Sequence, residues 1–154
     1  MLYRILKFIA TIFIWPIFRL RVVGRENIPR NEGYILCANH KANWDPIFLA
    51  IAFAPSIRFM GKKELFENGF LASFFNAIGV FPIDREGRDL SSLKNSIKLL
   101  KEENILGIFP EGTRTHDINR ENMKDGIAYI ALKAKKDVLP VEIVSSYKPF
   151  RKTY

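Results

Sequence analysis

Tyr34-Ile35-Leu36-Cys37-Ala38-Asn39-His40-Lys41-Ala42-Asn43-Trp44-Asp45-Pro46-Ile47-Phe48-Leu49-Ala50-Ile51-Ala52-Phe53 passes through three textures. Residues 34–38, entered from Gly33, are an apolar run of strand length. Residues 46–53 are a second apolar run, and Asp45-Pro46 supplies its start. Asp suits the N-cap, and Pro suits the first helical position, where an N–H would lack an intrahelical acceptor anyway. The polar turn between the runs therefore joins a strand to a helix, and such connections present functional side chains. It holds His40 and Asp45. An imidazole held by a carboxylate is a general base: it takes a proton from a hydroxyl while the carboxylate fixes its tautomer. A packed loop histidine beside a capping aspartate is the competing reading, and the pair alone does not choose.

Further along, Ile57-Arg58-Phe59-Met60 reads as a strand running into Gly61-Lys62-Lys63-Glu64-Leu65. Phe66, Phe70, Phe74 and Ile78 then recur at helical spacing. An aromatic stripe of this kind belongs in a core, although part of it could line a groove for a fatty chain. Gly79-Val80-Phe81-Pro82-Ile83-Asp84-Arg85 is a short strand entering a charged turn, and Leu90, Leu93, Ile97 and Leu100 mark a helix to about Lys101. Ile105-Leu106-Gly107-Ile108-Phe109 is a buried-type strand, ended by Pro110-Glu111-Gly112-Thr113-Arg114. Ile127, Ile130, Ala131 and Ala134 give one more helix. Residues 138–144 give a last strand, in which Pro140 suggests an edge or a strand start. On the other side of the opening stretch, Leu20-Arg21-Val22-Val23-Gly24 reads as a first strand and residues 26–31 as a loop. Strands alternating with helices predict a layered α/β domain over residues 21–154, its sheet largely parallel or mixed and flanked by helices.

Residues 1–20 differ. The uncharged run 8–18 would span about 16 Å as a helix, whereas a bilayer core needs about 30 Å. Arg4, Lys7, Arg19, Arg21 and Arg25 flank it, with no acid before Glu26. No small-x-small cleavage site follows, which counts against a signal peptide. An interfacial anchor fits better, with Tyr3 and Trp15 at headgroup depth and the basic residues on anionic lipid. A membrane-associated helix is therefore expected ahead of the domain; an ordinary core helix is the alternative. The 24 Lys and Arg against 16 Asp and Glu give a net charge of +8, which favours an anionic partner. Nucleic acid is the weakest candidate, because no zinc-finger spacing, RNA-binding signature or basic block interleaved with aromatics is present. The single Cys37 leaves no internal disulfide and fits a reducing compartment.

In parallel α/β sheets, ligands bind beyond the carboxyl ends of the strands. The chemistry here follows strands: His40 and Asp45, then Lys62, Lys63 and Glu64, then Asp84 and Arg85, then Glu111, Thr113 and Arg114. Any one cation would ordinarily be a solvated surface charge; four charged post-strand turns together point to a site. Lys and Arg converging with backbone N–H groups near Gly112 would suit a phosphate. Glu111 could align Arg114 or accept a substrate hydroxyl. No Gly-x-Ser-x-Gly elbow is present. Cys37, three residues before His40, should point to the opposite face. The base would then act directly on a substrate hydroxyl, without a covalent intermediate. His116, in a polar loop, reads as surface.

Asn39-His40-(x4)-Asp45, Gly79 through Arg85, Phe109-Pro110-Glu111-Gly112-Thr113-Arg114 and Val138-Leu139-Pro140-Val141 stand in the order of the four blocks of glycerolipid acyltransferases. The chain most resembles the 1-acyl-sn-glycerol-3-phosphate acyltransferases of bacteria, over roughly residues 20–145, and Lys62-x-Glu64-Leu65 resembles a further stretch of that family. The resemblance implies acyl transfer from acyl-CoA or acyl-carrier protein to the free hydroxyl of lysophosphatidic acid. The product is phosphatidic acid, made at the cytoplasmic face of the membrane among its lipids. It implies His40 as base and Asp45 as its partner, with Lys62, Arg85, Glu111, Gly112, Thr113 and Arg114 at the glycerol phosphate. No metal and no bound cofactor are implied. Another lysophospholipid or glycerol-3-phosphate as acceptor, or a non-catalytic module binding anionic lipid, are the alternatives. Phe81-Pro82 departs from the bulky or β-branched pair usual in the second block. Family members also run several tens of residues past the fourth block, whereas this chain ends at Tyr154, so an open sheet edge is expected after residue 144.

Overall fold

The computed structural model of the chain describes residues 2–30, 32–53, 56–83, 90–112 and 126–144. The apolar runs become parallel strands β1 (Ile35–Ala38), β2 (Ile57–Lys62), β3 (Val80–Ile83), β4 (Ile105–Ile108) and β5 (Val138–Val141). Their spatial order is β3-β2-β4-β1-β5, and every observed pairing is parallel. Helical elements accompany them among the described residues. α2 (Asp45–Ala52), α3 (Gly69–Ala77), α4 (Leu90–Lys101) and α5 (Gly126–Ala134) link successive strands; α1 (Leu2–Phe18) lies ahead of the sheet and a short 3-10 helix, Lys63–Phe66, before α3.

Side chains alternate across β1, so the sheet has two cores. Tyr34, Leu36 and Ala38 pack with Leu49 and Phe53 of the α2 side, and with Ile57, Phe59 and Ile105. Ile35 points the other way, to Leu100, Leu106, Ile108, Ile130 and Ala134 beneath α4 and α5. The expected faces of α4 and α5 are the ones that pack: Leu93, Ile97, Ile127 and Ala131 join that second core. At the amino end of the strands, Glu103 accepts the Gly33 N–H at 2.7 Å and pairs with Lys136 at 2.6 Å. That ties the entries of β1 and β5 to the end of α4.

Three sequence expectations change. Leu20 to Gly24 is not a strand: Leu20 and Val22 are half-buried and Arg21 and Val23 exposed, but no ladder forms there. Gly24 (φ 76°) instead turns the chain into a 3-10 helix, Arg25–Asn27. The aromatic stripe is not core. Phe70 is 81% exposed and Phe74 38%, because α3 lies over the β3 edge and packs through Ala72 and Phe75, the latter 5.8 Å from Phe66. Residues 142–144 leave the ladder rather than extend β5. Pro140, in contrast, lies on an edge strand as read, in register with Cys37.

α1 is docked on the domain. Phe18 packs edge-on against Phe48 at 4.8 Å and near Trp44 at 5.7 Å, Lys7 donates to the Phe53 carbonyl, and Tyr3 accepts the Ile57 N–H. Tyr3 and Trp15, expected at lipid headgroups, are engaged within the chain, Trp15 lying under Arg25. No helix among the described residues is long and apolar enough to cross a membrane.

Gly107 marks a close approach. A Cβ there would lie 2.4 Å from the Phe59 ring. Gly107→Ala should therefore overpack the first core and lower stability by about 1–3 kcal/mol. Denaturant unfolding checks this; an unchanged midpoint would mean the ring moves aside freely.

Candidate active site

β4 lies between β1 and β2. The chain leaving β1 enters α2 on the first core, whereas the chain leaving β4 leads to α5 on the second. Neighbouring strands whose connections diverge to opposite faces leave a crevice at their carboxyl ends, the usual ligand site of an open α/β sheet. His40 follows β1 and Glu111 follows β4, so the two motifs meet at that crevice.

Asp45 is fully buried. Its Oδ2 accepts the backbone N–H of Lys41 at 2.6 Å and of Ala42 at 2.7 Å, and lies 3.0 Å from His40 Nδ1. An ionised carboxylate only accepts, so the proton of a neutral ring sits on Nδ1 and Nε2 keeps its lone pair. Asp45 is not the expected N-cap. Trp44 takes that position without a side-chain bond, and Asp45 begins the helix with its carboxylate turned back over the turn. Pro46 stands near the helix start as read. The His40 ring is 16% exposed and stacks on Phe109 at 4.1 Å, which lies 6.0 Å from Phe59 in a nearly parallel plane.

Glu111 is 7% exposed, and its Oε1 accepts the His40 N–H at 3.4 Å, a long bond. Oε2 is buried with no partner among the described residues. Gly112 adopts φ 66° and donates its N–H to the Phe109 carbonyl, closing the turn. Lys62 is exposed at the carboxyl end of β2, two strands from His40. Arg85, Thr113, Arg114 and His116, with Asp84, lie outside the described residues. Among the described residues, no group of three or more His, Cys, Asp or Glu could hold a metal ion.

Phe109 and Asn39 escaped the sequence reading as functional residues. Nothing in a Phe ending a strand reports the ring it will stack on. Asn39 had only its adjacency to His40 as a signal.

The domain is an open parallel α/β sheet with a histidine–carboxylate pair at its topological switch. The chain belongs to the acyltransferase family, whose model matches residues 19–144. It is 41% identical over 122 residues to the 1-acyl-sn-glycerol-3-phosphate acyltransferase of Bacillus subtilis, covering 79% of this chain and 60% of that one. The Streptococcus pneumoniae enzyme of the same name is 37% identical, over 92% of this chain and 53% of its own. The crystal structure of the 1-acyl-sn-glycerophosphate (LPA) acyltransferase from Thermotoga maritima superposes with a TM-score of 0.72 at 29% identity, over 97% of this chain and 61% of that one. The chain thus spans between half and three fifths of these relatives.

Burial raises the Cys37 thiol above its usual pKa, and the Glu111 charge raises it further. Glu111→Gln removes the second cause, so the thiol pKa falls and more thiolate is present at any given pH. Alkylation of Cys37 should become faster, with its pH profile displaced to lower pH. Superimposable profiles for the two proteins would place the carboxylate's field elsewhere.

Proposed function

We propose that this chain transfers a fatty acyl group from acyl-CoA or acyl-carrier protein to the free hydroxyl of lysophosphatidic acid, giving phosphatidic acid. The observation that carries the reading is the His40–Asp45 pair, 3.0 Å apart at the switch point of the sheet; the names of the relatives supply the substrate. His40 Nε2 takes the proton of the acceptor hydroxyl as its oxygen attacks the thioester carbonyl. The new C–O bond forms and the C–S bond breaks. The imidazolium then gives its proton to the departing thiolate, which leaves as the free thiol and returns His40 to its neutral form. Asp45 stabilises that cation without itself taking the proton. Lys62, Arg85, Thr113 and Arg114 would hold the acceptor phosphate. A buried carboxylate repels a phosphate, so Glu111 serves better by steadying the His40 turn, or by accepting a glycerol hydroxyl, than by touching the phosphate.

Transfer of labelled acyl chains to lysophosphatidic acid, by the purified chain in detergent or vesicles, tests this. His40→Ala should lower the rate by about 10²–10⁴. An unchanged rate removes His40 from the mechanism, and failure with both acyl-CoA and acyl-carrier protein removes the activity from this chain.

We also infer that α1 lies on the cytoplasmic face of the membrane. It is 17 residues long and exposes Phe8 (66%) and Phe13 (62%), while basic residues flank it. α3, on the same side of the sheet by the right-handed crossover rule, exposes Phe70 and Phe74. Binding to anionic vesicles should weaken with salt and fall when Phe8 and Phe13 are both replaced by Ser. Undiminished binding by the double variant would remove α1 as the docking element.

A further inference from the structure

The register of the β1–β5 ladder ends with Ala38 opposite Val141. One residue beyond β1, the backbone bends into the His40 turn and the backbone ladder ends, but a side chain carries one more pair of hydrogen bonds across. Asn39 Nδ2 donates to the Ile143 carbonyl at 3.0 Å, and the Ile143 N–H donates to Asn39 Oδ1 at 2.6 Å. A carboxamide offers one donor and one acceptor in the arrangement of a peptide group, so the side chain stands in for the backbone that has left the sheet. Aspartate at this position would lose the donor, alanine would lose both bonds, and glutamine would be one methylene too long.

The consequence falls on the next residue. The His40 ring is held by Nδ1 on Asp45, by its face on Phe109 and by its own backbone. That backbone is tied on its far side by the Asp45 bonds to Lys41 and Ala42 and at its own N–H by the long bond to Glu111, so the residue before it supplies the remaining anchor. Asn39 anchors the start of the turn to Ile143, in the segment just after β5. We propose that Asn39 is a positioning residue for His40, and that the segment just after β5 thereby belongs to the support of the active site. The inference rests on the reading of His40 as the base. It gives the segment just past the fourth sequence block a physical link to the first.

The test combines turnover with a signal that needs none. Asn39→Ala should lower kcat by about 10²-fold, as small misplacements of a catalytic group do, with a much smaller change in KM for lysophosphatidic acid. On a His40→Ala background the same substitution should cost nothing further, because its effect passes through the ring. Ring ¹⁵N NMR, at a pH where the imidazole is neutral, should show one Nδ1–H tautomer in the parent and a mixture in Asn39→Ala. The chain has two histidines, so comparison with His40→Ala assigns the signals. Equal losses on both backgrounds would make Asn39 merely structural, and so would an unchanged tautomer. If His40→Ala turns over like the parent, the base reading fails, and the tautomer alone then decides whether Asn39 positions the ring.

Discussion

A buried carboxylate holds the active end of this domain together. An ion removed from water costs several kcal/mol unless its lone pairs are satisfied, and Oδ2 of Asp45 is satisfied locally, by the Lys41 and Ala42 N–H groups and the His40 ring. Those donors lie three to five residues before it, so one interaction folds the turn, orients the imidazole and places a negative charge at the amino end of α2, where the helix dipole favours it. The turn, the tautomer and the helix start cannot be altered separately.

His40 is also coupled to the interior through ring contacts. Gly107 has no side chain, so the Phe59 ring lies over β4; Phe109 lies parallel to Phe59, and His40 stacks on Phe109. Close-packed interiors transmit displacement, so a change at Gly107 would be felt at His40 although no hydrogen bond joins them. Asp45 fixes the ring at its edge and Phe109 at its face. Together they leave little freedom for the Nε2 direction.

Most of the layered architecture was legible because it depends on local patterns: buried-type runs for β1, β2 and β4, apolar faces for α4 and α5, and Pro140 for an edge strand. The site was legible for a related reason, since parallel strands carry the residues that follow them to one end of the sheet. Leu20 to Gly24 was misread because an alternating pattern needs a partner ladder, which no local pattern supplies. The Phe66–Phe74 stripe was misread because spacing identifies an apolar face but not what covers it, and α3 turns Ala72 and Phe75 inward instead. Asp45 looked like a cap because Asp-Pro usually is one; its true partners lie upstream, where a sequence pattern for capping does not look. The pairing of Asn39 with Ile143 spans 104 residues and left no mark in either stretch.

The placement of α1 bears on how an amphiphilic substrate would reach His40. Tyr3 meets Ile57 at the amino end of β2, while Phe18 meets Trp44 beside the His40 turn at the carboxyl ends of the strands. The helix therefore runs along the sheet toward the site, over about 25 Å for its 17 residues. If α1 lies in a lipid surface, its Phe18 end fixes the depth of the crevice relative to that surface. Trp44, 45% exposed and in contact with Phe18, would then lie close to that surface. An acceptor held in the membrane by its acyl chain would have to bring only its polar end to Nε2, and the domain would not have to extract it into water.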